Sequence, residues 1–445
     1  MSEKSIIRII NARICGPDAI HDDRDVVIHR GRIQIVPAGQ TVSLPGKPEI
    51  HDARHRFLLP AFTDIHNHGA GLFDVTAGRF DPATQLFELT PELYQEGLHR
   101  YCSLMASSGT ANLFAGIMAC GEDRLRMVCR QIRTYLDAQK TVPDGSILHG
   151  VFLEGTFLNP AMAGIQNPEY SFRPDVDLFE KMNGEKVLRI VNVVPDYDED
   201  SLKLIGHLTD HGITTGMGHT AATGVQIVAA VKYGLKYCIH FTNGPMSQSF
   251  KPFAGGGAIE GALTCPDLSL ELLADGYHVN RSYLRDTIAR KGLDKVFAST
   301  DSMFAAQTEE VTEFSLSGVR GEVSRDRDYV FAQGHPGWLF GSMLRMDVAF
   351  GNIVSLLTDN VPGIWYAEHP AMAFEDAVAA AGRICATNVN RMLREDGHED
   401  LETGEIADGK WADLIIGDIT GKAGAYQLHI HNMFVRGKEM GIKHD

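Results

Sequence analysis

Five short segments of the chain carry side chains suited to holding a metal ion. They are His66 and His68 in Thr63-Asp64-Ile65-His66-Asn67-His68-Gly69, Glu154 in Leu153-Glu154-Gly155, His219 in Gly218-His219-Thr220, His240 in Ile239-His240-Phe241, and Asp301 in Ser299-Thr300-Asp301-Ser302. Residues two apart on a strand point the same way, so His66 and His68 can reach one ion. A glutamate closing an apolar run is costly to bury unless it is paired or bound to a cation. Taken singly, each has an ordinary structural explanation: core or surface imidazoles in a chain of 19 histidines, a strand-end salt bridge, or a helix cap for Asp301. Their joint occurrence, His-x-His, Glu, His, His and Asp at the ends of separate apolar runs, is harder to assign to chance. Imidazoles and carboxylates together suit zinc, or another divalent ion such as iron or manganese.

Such a set works only if the fold brings those run ends to one place. Strand-like runs at 61–65, 110–114, 148–153, 187–194, 214–217, 237–239 and 296–299 are interspersed with amphipathic stretches at 93–108, 122–138, 200–211, 224–233 and 281–290. A β-then-α succession implies a parallel sheet with crossover helices. The expected class is therefore α/β, a (β/α)8 TIM-like barrel, whose catalytic residues gather at the C-terminal ends of the strands. Both chain ends read differently, as short alternating runs broken by Gly, Pro and Asp, with a hairpin turn at Arg30-Gly31. They predict a small β-sandwich domain formed by both termini, residues 1–57 and 405–445, around a barrel domain at 58–404. An extra hairpin is expected at 311–333.

Composition narrows the function. The chain has 445 residues and a net charge of −16, which argues against nucleic acid, since phosphate backbones need a basic face. An anionic small molecule is not excluded, because a pocket can be locally positive. Seven cysteines without CxxC spacing read as reduced thiols, hence a cytoplasmic location. No export signal is evident, and no run approaches the ~20 apolar residues of a membrane span.

The stretches LLPAFTDIHNHGAGLFDV, GVFLEGTFLNPAMAGIQNPEY, GMGHTAATG, CIHFTNGPMS, LLADGYHVN, ASTDSM and LETGEIADGKWADLIIGD together resemble the amidohydrolase superfamily, and within it the N-acetylglucosamine-6-phosphate deacetylases. The resemblance runs from about residue 26 to about residue 437. It implies a persistent ion held by Glu154, His219 and His240, and a second one where His66 and His68 are kept, with Glu154 bridging the two. Zinc is the implied metal, as one or two ions, with iron or manganese as alternatives. The implied reaction removes the N-acetyl group of N-acetylglucosamine 6-phosphate, giving glucosamine 6-phosphate and acetate. Asp301 is then the proton carrier, His278 orients carbonyl and sugar, and Asn243, Gln166 and Lys251 contact the substrate. A homodimer is implied as well.

Three departures touch substrate recognition and leave the acyl chemistry intact. Pro245 in His240-Phe241-Thr242-Asn243-Gly244-Pro245-Met246 removes a backbone donor near the phosphate. Lys251 stands where the family has an arginine, a point charge in place of a bidentate fork. Gly164-Ile165-Gln166 replaces Gly-Ala-His, and Gln166 hydrogen-bonds without charge. Competing readings are an amidohydrolase of an unphosphorylated N-acetyl sugar, an N-acyl amino acid or a cyclic amide, and a non-catalytic scaffold; the latter would be expected to have lost ligands.

Overall fold

A computed structural model describes residues 6–140, 144–243, 255–335, 337–364 and 367–441. At its centre run eight strands: β1 (Phe62–Asp64), β2 (Thr110–Ile117), β3 (Ile147–Phe157), β4 (Leu188–Val193), β5 (Thr214–Met217), β6 (Leu235–Cys238), β7 (Ser269–Leu272) and β8 (Val296–Ala298). They form one parallel sheet in the order β8-β7-β6-β5-β4-β3-β2-β1. Each is followed by a helix: α1 (Pro91–Ser107), α2 (Glu122–Ala138), α3 (Val176–Met182), α4 (Glu199–Asp210), α5 (Gly224–Tyr233), α6 (Ala258–Thr264), α7 (Arg281–Lys291) and α8 (Met346–Leu357). This is the predicted TIM-like barrel.

The strands are buried on both faces, as parallel strands under a helical layer must be. Their side chains alternate between two cores. Leu113, Ala115, Leu153, Val191, Cys238, Leu270, Leu272, Val296 and Ala298 pack against the helices. Phe114, Phe152, Ile190, Tyr237, Ile239 and Phe297 fill the barrel interior. That period of two decides which residues face the barrel axis.

The ring is closed at its mouth by residues just beyond β1 and β8. Asp301 N donates to His66 O at 2.7 Å and His68 N to Ser302 O at 2.6 Å, and Asn67 and Ser302 form an isolated parallel bridge. Behind them Asp64 Oδ2 accepts from Thr300 Oγ1 at 2.6 Å.

Strands from both chain ends make two small sheets. One has six strands, in which Leu414–Lys422 lies between Ala425–Val435 and Phe57–Pro60; the other has four, including Ile6–Ile10 and Arg24–His29. Ile9, Ile14, Val26, Ile28, Leu58, Leu414 and Phe434 form one shared core between them. The hairpin turn falls at Arg30 and Gly31, both with positive φ (53° and 75°), as the twist of a two-residue hairpin requires.

Two accessory sheets rise from the loops after β1 and β8. The region expected to hold one hairpin is a four-stranded antiparallel sheet, Glu313–Leu316, Val319–Val323, Tyr329–Ala332 and Leu339–Ser342. Its partner spans Gly69–Glu88 in four strands of two to four residues. Leu72, Phe80, Met303, Phe304, Phe314 and Phe340 weld them into one apolar wall. Among the described residues, no helix is long and apolar enough to cross a membrane.

Candidate metal centre

Every candidate ligand comes from the C-terminal end of a barrel strand. His66 and His68 follow β1, Glu154 lies within β3, and His219, His240 and Asp301 follow β5, β6 and β8. All six are buried. His219, His240 and Asp301 hold left-handed backbone conformations, with φ of 56°, 30° and 50°. Each such non-glycine residue costs of order 1–3 kcal/mol and persists where surrounding structure imposes it, most often at functional sites.

The side chains form two three-donor groups that share one carboxylate: His66, His68 and Glu154, and Glu154, His219 and His240. Glu154 Oε1 stands 3.5 Å from His66 Nε2, 3.2 Å from His219 Nε2 and 3.3 Å from His240 Nε2. Oε2 stands 3.3 Å from His68 Nε2. Two atoms each about 2.0–2.1 Å from a tetrahedral ion are about 3.3 Å apart, so these separations fit donors arranged around a common cation.

The other ring nitrogens are already engaged. His66 Nδ1 meets Glu271 Oε1 at 2.7 Å, His68 Nδ1 meets Gly116 O at 3.2 Å, His219 Nδ1 meets Met162 O at 3.0 Å, and His240 Nδ1 meets Asn243 O at 2.9 Å. An Nδ1–H donated to an oxygen leaves the Nε2 lone pair for a metal and fixes the ring's direction. His66 Nε2 is fully buried without a hydrogen-bond partner, and a cation would accept its lone pair. Gly116 is needed for this approach, since a Cβ there would meet Asn67 O at 2.4 Å and His68 Nδ1 at 3.0 Å.

Asp301 Oδ1 lies 3.2 Å from His68 Nε2 and 3.5 Å from His66 Nε2. Burial pushes its carboxyl up, but the neighbouring imidazoles, His66 foremost, outweigh this and hold it at about 2. The same contest sets Glu154 well below the ordinary carboxylate range. For His68 burial works downward, and its bonds to Asp301 and Glu154 raise it to about 10.

The centre forms the floor of a cavity of about 340 Å³, in the size range of small-molecule sites. Met118, Ile165, Met303 and Phe340 make one side apolar; Asn243 and His278 bring polar groups. Trp338 stands at the rim, 48% exposed and stacked on His335 at 5.0 Å between ring centroids.

No family model matches the chain. It is 29% identical over 327 residues to N-acetylglucosamine-6-phosphate deacetylase from Bacillus subtilis, covering 72% of this chain and 76% of that one. It is 26% identical over 387 residues to N-acetylgalactosamine-6-phosphate deacetylase from Escherichia coli O157:H7, covering 86% and 87%. Its fold superposes on a mutant N-acetyl-D-glucosamine-6-phosphate deacetylase from Mycobacterium smegmatis, solved in complex with N-acetyl-D-glucosamine-6-phosphate. The TM-score is 0.76, with 20% identity over 98% of this chain and 99% of that one. Sequence and fold both liken the chain to these deacetylases.

The remaining sequence-derived residues take distinct places around the centre. His278 is fixed by Asp275, whose Oδ2 meets Nδ1 at 2.5 Å and whose Oδ1 accepts the backbone N–H at 2.9 Å. Asn243 lines the cavity, and its carbonyl orients His240. Gln166, expected to meet a substrate hydroxyl, donates from Nε2 to Glu154 Oε2, while its Oε1 accepts from Ala119 N at 2.6 Å. It therefore braces the shared carboxylate. Lys251 and Pro245 lie outside the described residues.

Other contributors escaped the sequence reading. Asn192 joins the flanks of two ligands, donating to Glu154 O at 3.1 Å and accepting from Gly218 N at 2.8 Å. Asp196 holds the turn after His219 through Thr220 Oγ1 and, at 2.7 Å, Ala221 N. Glu271 backs His66, and its only sequence signal is a lone carboxylate inside the apolar run Ser269-Leu270-Glu271-Leu272-Leu273.

Proposed function

We propose that the chain hydrolyses the N-acetyl amide of an amino sugar 6-phosphate, N-acetylglucosamine 6-phosphate first, giving glucosamine 6-phosphate and acetate. One observation carries the reading: two three-donor groups sharing Glu154, with Asp301 beside them, at the floor of a sugar-sized cavity. The relatives named as deacetylases of N-acetylglucosamine 6-phosphate and N-acetylgalactosamine 6-phosphate support the substrate class.

In this reading Glu154, His219 and His240 hold one divalent ion, and His66 and His68 with Glu154 hold a second. The ion is zinc, in keeping with the mixed imidazole and carboxylate donors. When bound, such an ion acidifies water towards a pKa of about 7 and polarises a carbonyl oxygen. Asp301 takes a proton at its carboxylate from the attacking water and returns it to the leaving amine nitrogen. His278, with Nδ1 committed to Asp275, has Nε2 left to orient the acetamide and sugar. The apolar side of Met118, Ile165, Met303 and Phe340 excludes water from the reacting bond. The enzyme works in the cytoplasm as a homodimer; its seven cysteines, all buried and unpaired, support a reducing compartment.

A second reading is favoured by one feature. Among the described residues lining the cavity, none is lysine or arginine, which favours an unphosphorylated N-acetyl sugar. Acetate release from N-acetylglucosamine 6-phosphate, N-acetylgalactosamine 6-phosphate and their free sugars separates the two. A kcat/KM at least tenfold higher for a phosphorylated sugar is expected; equal values favour the second reading, and no release from any of the four refutes the assignment.

A further inference from the structure

Glu271 is a carboxylate at a position where the barrel otherwise places apolar side chains. It occupies the middle of β7, between Leu270 and Leu272, which pack outward against the helices. By alternation it points inward, beside its register partner Phe297 of the interior core. It is fully buried. A buried carboxylate without compensation costs several kcal/mol, so the contacts that compensate it indicate what it is for.

Two of those contacts lead into the metal centre from different sides. Glu271 Oε1 meets His66 Nδ1 at 2.7 Å and accepts the backbone N–H of His240 at 3.0 Å. Its main-chain carbonyl accepts Phe241 N at 2.9 Å. His66 belongs to one three-donor group and His240 to the other. A single oxygen atom thus ties both groups together.

We infer that Glu271 is a positioning residue that pre-organises the metal centre, holding His66 with its proton on Nδ1 and fixing the turn from which His240 reaches the shared carboxylate. A carboxylate behind a ligand histidine sets the tautomer and the ring orientation, and its loss typically lowers metal affinity 10- to 100-fold. The hydrogen bond to His240 N extends that control to the backbone, where φ is 30°. Glu271 does not line the cavity, so it acts through the ligands and not on substrate.

The inference rests on the metal-centre reading and is tested without turnover. Zinc affinity of the wild type and of Glu271→Gln is measured by competition with a chromogenic chelator, with circular dichroism and Tm reporting the fold. A folded Glu271→Gln that holds zinc 10- to 100-fold more weakly is the expected result. A folded variant with wild-type affinity overturns the inference. Imidazole 15N spectra of the zinc-loaded wild type give a check that needs no variant: a proton on His66 Nδ1 is expected, and zinc on that nitrogen overturns it. A wild type that binds zinc in this way yet deacetylates no amino sugar refutes the proposed activity and leaves the role of Glu271 standing.

Discussion

Replacing Asp301 by asparagine separates catalysis from metal binding. Both three-donor groups are complete without Asp301, so Asp301→Asn should keep its ions. The backbone should also survive. Its φ of 50° is one that asparagine adopts readily, and the bonds from Asp301 N to His66 O (2.7 Å) and from Ser342 N to Asp301 O (2.8 Å) involve no side chain. Oδ1 remains an acceptor, so the expected stability change is within about 1 kcal/mol. What disappears is the ability to take and return a proton. General acid–base catalysis is worth about 10²- to 10⁴-fold, or about 2.7–5.5 kcal/mol of barrier. The assay is acetate release under saturating substrate, alongside metal content by mass spectrometry and Tm. A metal-replete variant retaining more than about a tenth of wild-type kcat refutes the proton-carrier role.

Dialysis against a strong chelator should abolish turnover and lower Tm, because an ion bound only to the folded state stabilises it by RT ln(1 + [L]/Kd); zinc should restore both, and activity that persists in metal-free protein overturns the metal assignment. Trp338→Ala should raise KM about 5- to 10-fold with kcat within about twofold, the worth of one aromatic contact, while Trp338→Phe should stay near wild type; unchanged KM in the alanine variant removes Trp338 from the site. His398 supplies a pH signature. Burial, reinforced by Arg189, holds it down at about 3, so between pH 6.5 and 3 the unfolded chain takes up a proton that the folded chain refuses. Its contribution is full above pH 6.5 and falls with acidity by up to about 1.4 kcal/mol per pH unit. His398→Gln should therefore flatten the loss of urea resistance between pH 6.5 and 5, and an unaltered slope contradicts this.

The sequence revealed most of the barrel because several strands carry three or more apolar residues in a row, such as Leu113-Phe114-Ala115 in β2 and Val151-Phe152-Leu153 in β3. It failed on β7, where Glu271 breaks the run, and on α3 and α6, each only seven residues long. Helix α8 was hidden for the opposite reason. Nine of its residues are buried, so it lacks the polar face that marks an amphipathic helix. The candidate ligands were legible because imidazoles and carboxylates recur at the ends of separate apolar runs. The groups that brace their flanks, Glu271, Asn192 and Asp196, act through hydrogen bonds to backbone, hydroxyl and imidazole, which leave no characteristic spacing. Gln166 shows the same limit, since its position gave no hint that its amide would meet Glu154.

The clasp at the barrel mouth bears on the order of assembly. Asp64 and Thr300, which lock it, are 236 residues apart, and its remaining bonds join His66 and His68 to Asp301 and Ser302. Long-range contacts of this kind are slow to find and form late. A nascent chain lacking β8 carries every histidine ligand and still has no Asp301 to set beside them. Chain closure and completion of the site are then a single event, and refolding protein should regain its last tertiary signal and its first turnover together.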